Sequence, residues 1–162
     1  MYSRHMTTKS LIINLINDSV DTLYRNARAL PADKLTWEPT ETNRSALSML
    51  QECVQSPTWT ITMLNERRVG DFSEEAWGAM QAERAQWDTI DKCEAECRAR
   101  IAKLIEAIEA FPDADLETTL FLPFTQKDHP YWDIMMYVNW NNVWHTGQIA
   151  YLQVMLGDKE MH

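Results

Sequence analysis

The chain has 162 residues, of which 45% are hydrophobic and 24% are charged, and its net charge is −9. This size and composition favour a single globular domain over residues 1–162 and argue against a disordered or fibrous chain. The acidic charge repels phosphate backbones and anionic lipid surfaces, so neither nucleic acid nor a membrane is expected as a partner. No apolar run reaches the ~18 residues of a membrane span, and no secretory pattern opens the chain, which together predict a cytoplasmic protein.

Four segments with apolar residues at steps of three and four predict four long helices. They cover residues 8–30, 45–65, 89–110 and 130–156. Residues 1–6 precede the first pattern and are interpreted as a tag remnant, an upstream start or a flexible leader. Pro57 lies inside the second helix, where it removes one backbone hydrogen bond, so a kink is expected between Cys53 and Pro57.

The segments between these helices have turn chemistry or weak periodicity. Residues 74–87 predict a further, weakly amphipathic helix, whereas residues 31–44 and 113–130 are expected to be irregular. No stretch alternates convincingly as a strand would. The predicted fold class is therefore all-α, a four-helix bundle with a long crossover connection between the second and third long helices.

The chain has three cysteines, an odd and small number that makes a disulfide framework a poor explanation and that fits a reducing compartment. Cys93 and Cys97 lie one helical turn apart, a spacing that suits a metal ion or a redox pair. They also share an apolar stripe with Ile101 and Leu104, however. Core packing is the favoured interpretation.

The last helix carries a few polar groups among large apolar residues, which is where chemistry is expected. Asn141 and His145 lie one turn apart and point the same way, the spacing with which two donors hold one metal ion. Glu52, a carboxylate within an apolar stretch of the second helix, is the candidate third donor. A buried carboxylate needs a cation or several hydrogen-bond donors.

The same residues are open to a second interpretation without metal. Glu52 would face solvent or bond to Gln148 and Trp144, and His145 would be a satisfied core histidine. Cys53 adjoins Glu52, but neighbouring helical positions point about 100° apart, so it need not share the site. His129 is expected to be exposed in a loop, reaching the site only if that loop folds over the end of the bundle.

Two sequence segments carry a resemblance to a known family. The loop Leu-Pro-Ala-Asp-Lys-Leu-Thr-Trp-Glu-Pro at residues 30–39 and the helical motif Asn-Asn-Val-Trp-His-Thr-Gly-Gln-Ile-Ala-Tyr-Leu at residues 141–152 resemble the DinB-like (damage-inducible, bacillithiol-transferase-like) four-helix-bundle superfamily. The resemblance spans most of the chain. It implies a divalent metal such as Zn, Ni or Mn, held by one histidine of the second helix and a His-x3-His pair of the last.

The resemblance assigns three positions of this chain to metal ligands. His145 matches the final histidine, Asn141 stands where the first of the pair is expected, and Glu52 stands where the second-helix histidine lies. Two of the three ligands thus differ from the family pattern. A Glu-Asn-His site is chemically possible but should bind borderline metals less well than three imidazoles do.

The resemblance implies a metal-dependent enzyme that conjugates a thiol cofactor to a small electrophilic substrate, or a related hydrolase or isomerase. Gln148 would orient a ligand from outside the coordination sphere, and Trp144 and Tyr137 would line a pocket; no catalytic residue is assigned. The alternative is a non-catalytic bundle that binds a small ligand or a protein partner after losing the three-histidine site. A homodimer through the first or third helix is compatible with either.

Overall fold

The computed structural model describes residues 6–162 and contains four long helices and one shorter helix. They are α1 (Thr8–Ala29), α2 (Ala46–Glu66), α3 (Glu74–Arg84), α4 (Ile90–Ala110) and α5 (Tyr131–Met155). The predicted helices are confirmed to within a few residues. The interpretation of residues 1–6 falls outside the described residues for all but Met6. Over residues 6–162, no helix is long and apolar enough to cross a membrane.

Side-chain caps explain where the helices begin. A hydroxyl accepts a backbone N–H of the first turn at the start of four of them: Thr7, Ser45, Ser73 and Thr89. Each bond satisfies a donor that lacks a partner within the helix.

The four long helices form the predicted bundle. α1 and α2 each pack against both α4 and α5. Each helix contributes fully buried side chains to one core, for example Ile16, Leu50, Leu104 and Ile134. The connection between α2 and α4 contains α3 and is the predicted long crossover. The fold is therefore an all-α four-helix bundle, as expected.

Helix α2 continues through Pro57 because its freed acceptor has other partners. Proline cannot donate to the carbonyl four residues back, which belongs to Cys53. That oxygen instead accepts the Ser56 hydroxyl at 3.3 Å and the Cys97 thiol at 3.8 Å. Cys97 and Cys93 are fully buried, which confirms their predicted place in the core. The kink itself stays a prediction.

A β-hairpin corrects the expectation that residues 113–130 are irregular. β1 (Thr119–Leu122) pairs antiparallel with β2 (Lys127–Pro130). Each strand is only four residues long, and Leu122 of β1 is the one fully buried residue of the pair. The alternation of buried and exposed residues was therefore too short to detect in the sequence. Gln126 closes the turn with a left-handed φ of 57°. The hairpin leads directly into α5 and lies against its first turns.

Candidate functional site

Glu52 of α2 and His145 of α5 meet between the two helices. Their Oε1 and Nε2 atoms are 3.2 Å apart. The His145 side chain is almost completely buried, and that of Glu52 is 24% exposed. The structure thus brings together two of the three residues that the sequence singles out as metal ligands.

Arg44 is a partner of this pair that the sequence analysis missed. Its Nη1 atom lies 2.6 Å from Glu52 Oε2, and its Nη2 atom donates to the Ser48 carbonyl at 2.8 Å. Arg44 lies before the Ser45 cap of α2, outside the helix, so helical spacing from Glu52 gave no reason to expect it at the site.

These partners keep Glu52 ionised. The hydrogen bond from His145 and the charge of Arg44 lower the pKa of Glu52 to about 2, against the opposing effect of its burial. A carboxylate with two cationic or proton-donating partners is stabilised in its charged form. Glu52 is therefore already neutralised by protein groups.

Gln148 fixes the imidazole ring of His145 from the other side. Its side-chain amide lies 2.7 Å from His145 Nδ1 and holds the ring at that nitrogen. Nε2 is then the nitrogen that points toward Glu52. The predicted orienting role of Gln148 requires such a contact, and the role itself stays a prediction.

Asn141 faces a different partner. Its Nδ2 donates to Cys53 Sγ at 3.7 Å, and its described bonds reach neither Glu52 nor His145. Burial raises the pKa of the Cys53 thiol well above its usual value, so the thiol stays protonated and is a weak nucleophile. Trp144 stacks on Trp140 at the surface and does not bond Glu52.

The side chains as arranged do not fit a resident divalent cation. Glu52 and His145 supply two donors. The Arg44 guanidinium already forms an ion pair with the Glu52 carboxylate, however, so a metal ion would have to compete with Arg44 for it. Asn141 would have to leave Cys53 to provide the third donor. Within residues 6–162, no group of three or more His, Cys, Asp or Glu side chains is placed to hold a metal ion.

A cavity of about 900 Å³ opens beside this pair, between α2, the segment that follows it, the hairpin and α5. Most of its wall is apolar: Trp59, Met63, Val69, Phe72, Phe124, Trp132, Met136, Tyr137, Trp140 and Val143. Glu52 and Asn141 contribute polar groups to the same wall. Tyr137, which the sequence places in a pocket, lines this cavity, whereas Trp144 and Gln148 line a smaller cleft of about 500 Å³ beside Arg44.

A second polar cluster borders the cavity and was not predicted. His129 lies 2.7 Å from Asp133, 2.7 Å from Thr125 and 3.2 Å from Tyr137. The expectation that His129 is exposed is wrong, since its side chain is only 16% exposed. The hairpin folds His129 onto the first turns of α5, where it lines the same cavity as Glu52.

Comparisons with solved structures identify the fold. YfiT from Bacillus subtilis, described as a probable metal-dependent hydrolase with an unusual four-helix-bundle topology, has a TM-score of 0.74 at 12% identity, with 97% of this chain and 93% of that chain covered. A DinB-like protein, YjoA from Bacillus subtilis, has a TM-score of 0.64 at 13% identity over 94% and 95% of the two chains. No family profile and no curated protein matches the sequence.

A third neighbour is the colibactin self-resistance protein ClbS, solved in complex with double-stranded DNA. Its TM-score is 0.66 at 12% identity, over 94% of this chain and 98% of that chain. The structure is thus a helical bundle with an open, mostly apolar cavity between α2, the hairpin and α5. More particularly, the chain has the fold of the DinB-like superfamily, as its sequence resemblance implied.

Proposed function

We propose that this chain binds a small, mostly apolar molecule in the cavity between α2, the hairpin and α5. The observation that carries the proposal is the cavity itself, whose volume of about 900 Å³ lies within the range of small-molecule sites. Several of its aromatic side chains are exposed in the free protein, among them Phe72, Phe124 and Trp140. A ligand that covered them would remove apolar surface from water.

The polar groups of the wall suggest how such a ligand is oriented. Glu52 is ionised and its charge is balanced by Arg44, so a strongly charged ligand gains little binding free energy from the carboxylate. A neutral ligand with one hydroxyl or amine could donate a hydrogen bond to the carboxylate or accept one from an amide. The proposed ligand class is therefore an uncharged, largely aromatic or aliphatic molecule with few polar atoms.

A fluorescence titration tests this proposal. Nile red, a neutral apolar dye, should brighten on binding to the full-length chain with saturation at one dye per chain. Trp140→Ala removes a wall residue and should weaken binding by about tenfold, equivalent to ~1.4 kcal/mol. Trp77→Ala is the matched control, because Trp77 is similarly exposed, at 51% against 58%, and lies outside the cavity wall. Equal binding by both variants would refute the proposal.

A metal-dependent enzyme is the second candidate, and one distance favours it. The 3.2 Å between Glu52 Oε1 and His145 Nε2 is close to the ~3.3 Å that separates two ligands of a tetrahedral ion with bonds of about 2.0 Å. Glu52, Asn141 and His145 would hold the ion, which would supply an activated thiol or water for conjugation or hydrolysis. The fold neighbour described as a probable metal-dependent hydrolase supports this candidate; the Arg44 contact argues against it.

A further inference from the structure

Thr125, His129 and Asp133 form a continuous hydrogen-bonded series on the wall of the cavity. Asp133 Oδ2 lies 2.7 Å from His129 Nδ1, and His129 Nε2 lies 2.7 Å from Thr125 Oγ1. We propose that this series makes the Thr125 hydroxyl a nucleophile toward uncharged esters, so that the chain hydrolyses them. The proposal rests on the cavity being a small-molecule site, and adds a reaction to it.

Three successive elements hold the series in place. Thr125 belongs to the turn between β1 and β2, His129 to β2, and Asp133 to the first turn of α5. Asp133 accepts the Nδ1 hydrogen of His129, which fixes the tautomer and leaves Nε2 free to accept the hydroxyl hydrogen of Thr125. That hydroxyl also lies 3.2 Å from the Leu122 carbonyl, but its contact with the imidazole is shorter.

The series is open to a ligand in the cavity. Thr125, His129 and Asp133 all line it, and the His129 and Asp133 side chains are 16% and 37% exposed. Tyr137 adds a phenolic hydroxyl to the same wall, 3.2 Å from His129 Nδ1. A nucleophile next to a base that a third group orients is the arrangement that activates a hydroxyl for acyl transfer.

The reaction balances with water as the only co-reactant. Thr125 Oγ1 bonds to the ester carbonyl carbon while its proton moves to His129 Nε2. The bond from that carbon to the alcohol oxygen breaks, and His129 returns the proton to the departing alcohol. Water then attacks the acyl group on Thr125, giving one proton to His129. The acid leaves, and Thr125 regains its hydrogen from His129.

The same hydrogen bonds would also stabilise the packing of the hairpin on α5, and this structural role makes a different prediction. In that role the bonds raise the stability of the fold whether or not the Thr125 hydroxyl reacts. Their removal would lower the melting temperature, and no ester would become attached to Thr125. The decisive observation is therefore an acyl group on Thr125, which a purely structural role does not produce.

The test is hydrolysis of p-nitrophenyl butyrate by the full-length chain. We expect saturable release of p-nitrophenolate, a fall of at least about 100-fold in Thr125→Val and in His129→Gln, and recovery in Thr125→Ser, which keeps a hydroxyl. Thr118→Val is the control, since the Thr118 hydroxyl donates to the Asp115 carbonyl within the same connecting segment and does not contact His129. Mass spectrometry should find the butyryl group on the peptide that contains Thr125.

Two outcomes would overturn the reaction without touching the binding proposal. One is Nile red binding with no hydrolysis above the buffer rate and no acylated peptide. The other is hydrolysis that Thr125→Val leaves unchanged while dye binding is also unchanged. If the wild-type chain binds no dye, it is the binding proposal that fails.

Discussion

The guanidinium of Arg44 lies 2.6 Å from the Glu52 carboxylate, the group that the sequence marks as a metal ligand. A cation supplied by the protein thus stands where a metal ion would otherwise neutralise the charge. Breaking such a pair leaves a partly buried carboxylate without its partner, which is costly. The contact separates the two candidate functions, because only one of them requires Arg44 to move.

The first prediction concerns metal content. Purified without a nickel column, the wild-type chain should carry far less than one equivalent of transition metal, because Arg44 competes for Glu52. Arg44→Met should bind zinc about tenfold more tightly. Arg28→Met is the control, since Arg28 pairs with Asp91 and Glu94 instead. Inductively coupled plasma mass spectrometry and zinc titration measure both effects.

The opposite metal result would support the enzyme candidate. One equivalent of metal in the wild type, lost in both Glu52→Ala and His145→Ala, would show that Arg44 yields to the ion. It would also require Asn141 to leave Cys53.

The second prediction is the pH dependence of stability. The folded-state pKa of Glu52 is about 2, below its usual value of 4.5. A lowered folded pKa stabilises the protein above pH 4.5, and the stabilisation is lost as the pH falls toward 2. The difference in unfolding free energy between wild type and Glu52→Gln should shrink over that window by on the order of 3 kcal/mol. Urea denaturation at several pH values measures it, and a difference independent of pH would contradict the ion pair.

The third prediction concerns the crossover connection. Gln55 on α2 accepts the Arg84 Nε hydrogen at 2.7 Å and donates to the Met80 carbonyl at 2.9 Å, which anchors α3. Gln55→Ala leaves the buried Arg84 without this acceptor and should cost about 2 kcal/mol of unfolding free energy. Gln86→Ala, at an exposed position, should cost less than about 0.5 kcal/mol. Similar losses in the two variants would mean that the anchor contributes little.

The fourth prediction concerns thiol reactivity. Cys53, Cys93 and Cys97 are buried, and burial raises the pKa of Cys93 to about 12 and that of Cys97 to about 11. The native chain should therefore react with Ellman's reagent at pH 8 far more slowly than the chain unfolded in guanidinium, which should titrate all three thiols. Rapid reaction of one thiol in the native chain would show an opening that reaches the core.

Much of the fold could be predicted from local patterns. Apolar residues at steps of three and four predict the four long helices. Cys93 and Cys97 were placed in the core because they share a stripe with Ile101. Helical periodicity and capping act over a few residues, so the chain order alone contains the signal.

The hairpin could not be predicted in this way. Its strands have four residues each, too few for alternation to show, and their pairing joins residues up to eleven positions apart. His129 was accordingly expected in an exposed loop. Only the folded hairpin places it between Thr125 and Asp133.

The sequence by itself determined the helices, the bundle class and the polar residues that stand out on α2 and α5. The tertiary structure decided what those residues contact: Glu52 pairs with Arg44 as well as His145, Asn141 faces Cys53, and the cavity gathers aromatic side chains from four parts of the chain. The reason is physical. Helix formation depends on neighbours in sequence, whereas ion pairs and cavities depend on which distant groups packing brings within a few ångströms.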